Sequence, residues 1–312
     1  MGKVFIYGFF PTLLMSTSTT TKLNKYLYAA IYLLTFIILT SALYLKFSSK
    51  IIRLDFGIGS ATGAAYTILL IGFISGTAIL CTNKKNLILY ILNTASVFTL
   101  ILFTETRSAI LVFPVISIIT IAYTYGATRK ELLTSTGIFI ILIALVLMTF
   151  KDQITHRYEV ALNDIQQYKN SNSWTSLGAR LAMYEVGLKS FQNSPLIWKS
   201  AESRAENIRK YARENKIYNG ALPFLNIHLH NEIIESASIK GIAGILSTMI
   251  FYLSLCILAF RRKSILLAGL LIAIVSLGLS DVLLWARSIP IIIIMTIVIA
   301  IAIESHKKIS SL

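Results

Sequence analysis

The residues best suited to chemistry lie together in the stretch His228-Leu229-His230-Asn231-Glu232, followed by Ile233-Ile234-Glu235 and then Gly241-Ile242-Ala243-Gly244. The chain has four histidines, and two of them stand two residues apart here, where a long polar segment gives way to an apolar run. Free imidazole has a pKa of about 6.5 and accepts a proton at neutral pH, so His230 is suited to act as a general base. His228 and Asn231 would then support it, Asn231 by orienting the base or by donating to a substrate oxygen. Two other readings stay open. The histidines are structural, or His228, His230 and Glu235 supply three metal ligands. The spacing matches no zinc pattern, and HExxH is absent.

Two arginines come next. Arg107 falls in Thr104-Glu105-Thr106-Arg107-Ser108, a tight turn between two apolar runs. A cation there needs a partner or a substrate. It pairs with Glu105, snorkels to phospholipid headgroups, or clamps a phosphate, to which a guanidinium donates bidentate bonds. Arg180, in Ser176-Leu177-Gly178-Ala179-Arg180-Leu181-Ala182-Met183-Tyr184-Glu185, begins an amphipathic helix. Pairing with an acid one turn on is the simpler reading there. Asp281 and Arg287 flank a later turn, Ser280-Asp281-Val282-Leu283-Leu284-Trp285-Ala286-Arg287-Ser288. Trp285 suits a membrane interface, and Asp281 is a weaker candidate than His230.

The elements that must position these groups follow from composition. The 312-residue chain is 55% hydrophobic and 14% charged, with mean hydropathy +0.72. Soluble domains carry about 25% charged residues, so this is an integral membrane protein, and disorder is excluded. Its formal charge of +15 raises nucleic acid as a partner. The cations cluster between apolar runs, which is a topology signal, and no nucleic-acid partner is expected.

Apolar runs occupy 4–16, 26–46, 62–82, 87–104, 108–126, 134–150, 241–260, 265–284 and 288–304. The expected fold is all-α, a polytopic helical membrane protein, because lipid cannot satisfy open backbone groups. Three regions result: 1–150 with about six spans, a mostly helical outer segment 151–240 carrying the histidine motif, and 241–312 with three spans and a tail.

One set of connections holds Lys22, Lys25, Lys84, Lys85, Arg129, Lys130, Arg261, Arg262 and Lys263, with Lys307 and Lys308 in the tail; the opposite set holds Lys50, Arg53, Arg107 and Arg287. The richer set faces the cytoplasm, which places 151–240 and the N-terminus outside. An outer N-terminus before nine spans is awkward, and an odd number of missing upstream helices would repair it. The first run is read as a short span, since Pro11 interrupts it and no cleavage site follows.

Within 151–240, Leu177, Leu181, Tyr184 and Leu188 recur at helical spacing, and Asn193-Ser194-Pro195 stops that helix. A second helix covers Ala201 to Asn215, and most of it reads as a solvated face. Cys81 and Cys256 read as small buried hydrophobes. Gly59 and Gly63, in Asp55-Phe56-Gly57-Ile58-Gly59-Ser60-Ala61-Thr62-Gly63, read as a small-xxx-small packing pair, because no βαβ unit supports a dinucleotide loop. No Walker A, Asp-x-Asp or GxSxG pattern occurs, so no nucleotide donor is indicated.

Taken together, these residues resemble the O-antigen ligase (WaaL-type) family, in an enterobacterial form. The resemblance rests on the polytopic layout, His230-Asn231-x9-Gly241-x2-Gly244, the Thr-Arg turn at Arg107, the Leu-Gly-Ala-Arg run at Arg180, and Trp285-Ala286-Arg287-Ser288-Ile289-Pro290. Family members have about a dozen spans, so roughly the first three are missing here.

The resemblance implies a glycosyltransferase of the bacterial inner membrane with its active site facing the periplasm. It would transfer O-polysaccharide from undecaprenyl pyrophosphate to a sugar hydroxyl of lipid A–core, in lipopolysaccharide biosynthesis. It also implies an inverting reaction without ATP, metal or other cofactor. His230 would be the base and Arg107 and Arg180 the pyrophosphate clamp. His228, Asn231, Asp281 and Arg287 would support them, with Gly241 and Gly244 allowing close helix packing. An O-antigen polymerase using the same donor, a transporter of lipid-linked oligosaccharide and an inactive fragment are the alternatives.

Overall fold

The computed structural model describes residues 53–82, 86–125, 151–286 and 289–309, with single helical positions at Thr40, Tyr44, Leu133, Gly137, Ile140, Ile141, Ala144 and Met148. The expected runs 4–16, 26–46 and 134–150 lie, those single positions aside, outside the described residues, as does Arg287. Among the described residues all regular structure is helical, as the all-α reading requires.

The helices are α1 Ala61–Thr82, α2 Leu87–Phe103, α3 Arg107–Tyr125, α4 Lys151–Lys169, α5 Ser176–Asn193, α6 Ala201–Glu214, a 3-10 helix Lys216–Phe224, α7 Glu232–Arg262, α8 Ile265–Gly278 and α9 Ile289–Ile309. By length and composition α1, α3 and α7 can cross a bilayer, while α2, α8 and α9 contain shorter apolar stretches.

The apolar run 265–284 is not one helix. α8 has 14 residues, about 21 Å of rise against a hydrocarbon core of about 30 Å. Residues 279–284 form a turn instead, and Asp281 lies in it.

The chain divides into two compact units. One comprises residues 1–146, 255–274 and 285–312; the other comprises 147–254 and 275–284. In the first unit, helices meet through small residues. A Cβ on Gly72 of α1 would stand 2.4 Å from the Val97 side chain of α2, and one on Gly269 of α8 would stand 2.0 Å from the Phe73 ring. These are the packing glycines, in place of the expected pair. Gly59 lies before α1 at φ +79° with open space around it, so it serves the turn 55–60. Tyr90 of α2 donates to the Ser117 carbonyl of α3 at 3.0 Å, which satisfies a buried hydroxyl without water. Cys256, expected to be buried, is exposed on an apolar stretch of α7.

The turn before α3 positions Arg107. The Thr104 hydroxyl donates to the Ile101 carbonyl at 2.6 Å, and the Thr106 amide donates back to it at 3.2 Å. Glu105 takes φ 52°, and the Arg53 guanidinium donates to the Thr104 carbonyl at 3.1 Å. Arg107 is the first residue of the helix and is exposed.

The second unit is built on an apolar core of Ala182, Met183 and Val186 from α5, Ile208, Tyr211 and Ala212 from α6, Tyr218 and Ala221 from the 3-10 helix, and Leu229. Side chains set its boundaries. Thr175 caps α5 by accepting from the Gly178 amide at 3.0 Å, and Ser200 caps α6 by accepting from Ser203 at 3.2 Å. α5 ends at Asn193 with Ser194 as its cap, matching the stop read from Asn-Ser-Pro.

Most of α6 is the solvated face its charges suggest, with Glu202, Glu206, Arg209, Lys210, Arg213 and Glu214 exposed, but one charge turns inward. Arg204 shares the buried stripe of Ile208, Tyr211 and Ala212 and is 3% exposed. α7 is interrupted at Gly241, whose φ 60° and ψ −145° are non-helical. Gly241 therefore serves both a break in the helix and the close approach that was expected, since a Cβ there would stand 2.1 Å from the Pro195 carbonyl oxygen. Gly244 also sits in a tight contact: a Cβ there would stand 2.2 Å from the Ser236 carbonyl oxygen.

Candidate active site

The histidine turn lies between the 3-10 helix and α7, and it is held from several directions. Arg204 Nη1 donates to Glu235 Oε1 at 2.5 Å, and Arg204 Nη2 donates to the Ile227 carbonyl at 2.7 Å. Glu235 Oε2 accepts from the Leu229 amide at 2.8 Å. One buried ion pair thus braces both ends of the turn. Glu235 is committed to that brace and does not join the histidines as the metal-ligand reading supposed.

Gly187 of α5 lets the turn approach. A Cβ there would stand 2.5 Å from the Ile234 side chain and 2.7 Å from Leu229. Asn231 Oδ1 accepts from the Ile233 and Ile234 amides at 3.1 and 3.0 Å, satisfying the donors that open α7. Its amide nitrogen donates to the Leu279 carbonyl at 2.9 Å. Both ends of Asn231 are engaged with backbone, so it fixes the turn that carries His230; sequence alone also allowed a donor to substrate.

Asp281 is brought to this turn across some fifty positions of sequence. Glu232, fully buried, accepts from the Leu283 and Leu284 amides at 2.6 and 2.9 Å and so ties turn 279–284 to the start of α7. Those amides have left helical bonding in an apolar setting, and the carboxylate satisfies them.

Asp281 Oδ1 then lies 2.7 Å from His228 Nε2 and 3.0 Å from His230 Nδ1. It also accepts from the Val282 amide at 2.9 Å. Burial alone would push the Asp281 carboxyl up. The hydrogen bonds from His228 and His230 outweigh it and hold the group well below the usual carboxylate range. An ionised carboxylate only accepts, so both facing ring nitrogens carry protons. His230 then keeps Nε2 as its basic nitrogen.

His230 adopts φ 53°, a left-handed conformation that few side chains tolerate. Its carbonyl accepts from the Tyr184 hydroxyl at 2.8 Å. Burial pushes the Tyr184 pKa up, with the Arg180 guanidinium opposing and Asp281 adding to the rise, so Tyr184 stays a neutral donor.

A cavity of about 330 Å³ opens beside the turn. His230, Arg180, Trp174, Thr175, Met183 and Phe224 are among its lining residues. The Phe224 ring meets the His230 ring edge-on, with centroids 5.9 Å apart.

The structure brings together His230, His228, Asn231, Asp281 and Arg180. Arg107 is positioned by its own turn in the other compact unit. Among the described residues, the donor atoms of His228, His230 and Asp281 also lie within 4.8 Å of one another, close enough to hold a cation, with Asp281 in the place sequence gave to Glu235.

Sequence reading missed Tyr184, Glu232, Arg204 and the aromatic walls. Only Arg204 left a signal, its i, i+4, i+7 spacing with Ile208 and Tyr211.

A family model described as O-Antigen ligase matches residues 92–249, a span holding Arg107, Arg180 and the histidine turn. The chain is 44% identical over 307 residues to an O-antigen ligase of Escherichia coli K12, covering 98% of this chain and 73% of that protein. It is also 28% identical over 141 residues to an uncharacterized protein of Haemophilus influenzae, covering 45% of this chain and 35% of the other.

Proposed function

Because the chain belongs to the O-antigen ligase family, we propose that it joins O-polysaccharide, carried on undecaprenyl pyrophosphate, to a sugar hydroxyl of lipid A–core. The reaction runs at the periplasmic face of the bacterial inner membrane. Neither the polymerase nor the transporter alternative is favoured by these relationships. The observation that carries the mechanism is a carboxylate-bound His230 lining a cavity that Arg180 also lines.

In this reading the acceptor hydroxyl gives its proton to His230 Nε2. Its oxygen bonds to the anomeric carbon of the donor, and the bond from that carbon to the pyrophosphate oxygen breaks, with inversion. Undecaprenyl pyrophosphate departs as a stabilised anion and needs no acid. Asp281 holds the His230 tautomer and favours the imidazolium that forms, the role an orienting carboxylate plays beside a histidine base. His228 shares the same Asp281 oxygen, its ring centroid 4.7 Å from that of His230.

Arg180 offsets charge growing on the leaving group. Arg107, exposed at the first turn of α3, is assigned to the same anion, and Arg287 remains a supporting candidate. The indole of Trp174 and the ring of Phe224 offer apolar faces on which a sugar ring stacks.

His230→Ala tests the assignment. Loss of a general base costs about 10²–10⁴-fold, so cells with normal amounts of the variant should lack O-polysaccharide on lipid A–core and retain it on the lipid carrier. Ladders like those of wild type would refute the role. Single capped units on lipid A–core in a chain-null strain would instead indicate a polymerase.

A further inference from the structure

We propose that the Pro195–Lys199 loop is an interfacial anchor, seating Leu196, Ile197 and Trp198 in the bilayer leaflet on the side of residues 151–240. Leu196 is 79%, Ile197 61% and Trp198 71% exposed, three large apolar side chains in succession. A run of this kind on a protein surface marks a contact.

The loop's attachment to α7 identifies what covers it. The Pro195 carbonyl accepts from the Ile242 amide at 2.8 Å, and the Lys199 amide donates to the Ile239 carbonyl at 2.7 Å. The loop is therefore clamped at both ends to the break in α7. From that break onward α7 is long and apolar enough to cross a membrane, and Ile242, Leu246, Ile250 and Leu253 are exposed along one stripe. The clamp to Ile239 and Ile242 holds the loop's apolar tip at the start of that stretch, the level at which the proposal has the helix enter lipid.

Gly241 makes the clamp possible, since a Cβ there would stand 2.1 Å from the Pro195 carbonyl oxygen. Lys199 does not interrupt the tip. Its ammonium is turned inward, donating to the Ser190 carbonyl and hydroxyl. What remains outside is uncharged and ends in an indole, the side chain enriched at membrane interfaces.

The test uses the full chain in phospholipid vesicles. On a Cys81→Ala, Cys256→Ala background, nitroxides are attached to Ile197→Cys and Trp198→Cys, with Lys210→Cys on exposed α6 as the aqueous reference. Collision with oxygen should exceed collision with a water-soluble nickel complex several-fold at 197 and 198, and the ratio should reverse at 210. Equal nickel access at all three sites would place the loop in water and overturn the proposal. Exclusion of both probes at 197 and 198 would mean coverage by protein, a second copy included, and would overturn it equally.

A second measurement needs no cysteine. Brominated lipid should quench wild-type tryptophan emission more than that of Trp198→Phe, and equal quenching would also sink the idea. Neither readout depends on ligase activity, so the outcome is separate from that of the proposed reaction.

Discussion

Two turns in this molecule look alike locally and are held in different ways. Thr104–Thr106 and His228–Asn231 each lead into a helix, and each contains a non-glycine residue in the left-handed region, Glu105 at φ 52° and His230 at φ 53°. Such a residue costs about 1–3 kcal/mol and persists only where its surroundings over-determine it. The first turn is fixed largely by its own threonine hydroxyls, with Arg53 reaching the Thr104 carbonyl. The second is fixed from afar, by Tyr184 on α5, Arg204 on α6, and Asp281 and Leu279 beyond α8. In the first, the left-handed residue stands beside the proposed functional side chain; in the second it is the proposed functional side chain. Long-range support is concentrated where a ring nitrogen has to be aimed.

The comparison can be broken most severely at Asp281. Asp281→Asn removes the negative charge and puts an amide donor in a group that only accepted, so it no longer enforces the His230 tautomer, and ligation should fall by about 10²-fold or more, a loss comparable to losing the base. Near-normal lipopolysaccharide ladders would show that the long-range support is dispensable. The same variant carries a pH signature. Asp281's folded pKa is depressed, so its stabilising contribution is fully present above the unfolded value of about 3.9 and is lost as pH falls through the folded value. The part of the wild-type advantage in thermal unfolding over Asp281→Asn that comes from this carboxylate should therefore disappear only in strong acid, below the ordinary carboxylate range.

Next in size is Arg204→Met. It leaves Glu235 buried without its partner, and breaking a buried pair costs about 3–5 kcal/mol. Its midpoint in detergent should drop, and Arg204→Met with Glu235→Gln should recover part of the loss; no recovery would mean the pair does not act as one brace.

Arg107→Lys keeps the charge and loses the planar fork, so ligation should fall about tenfold, with apparent donor affinity carrying the change. Unchanged donor affinity would remove Arg107 from the clamp. Smallest is Glu105→Gly, which relieves left-handed strain. Stability should change by no more than about 1 kcal/mol, with the sign favouring glycine, and ligation should stay near wild type. A large loss of ligation would mean Glu105 itself acts on Arg107 or substrate.

The helices were legible where the signal is local. Hydropathy located α1, α2, α3 and α9 to within a few residues, and Asn193-Ser194-Pro195 announced the end of α5. The end of α8 was not legible, because residues 279–284 remain mostly apolar and hydropathy cannot register that Glu232 satisfies the Leu283 and Leu284 amides. The histidine turn stood out by residue type. Asp281 did not, since it lies 53 positions from His228 at what reads as the edge of a span. Arg204 was hidden for a related reason: among Glu202, Glu206, Arg209, Lys210, Arg213 and Glu214, one charge turned inward looks like the rest until its partner, 31 positions away, is placed.

The left-handed backbone at position 230 also restricts what evolution or an engineer can install there. Glycine, asparagine, aspartate and histidine are the side chains that accept that geometry most readily. Glycine and asparagine offer no base, and an aspartate would stand against the charged oxygen of Asp281. A chain-geometry filter and a reactivity filter, unrelated in origin, therefore intersect at a single amino acid.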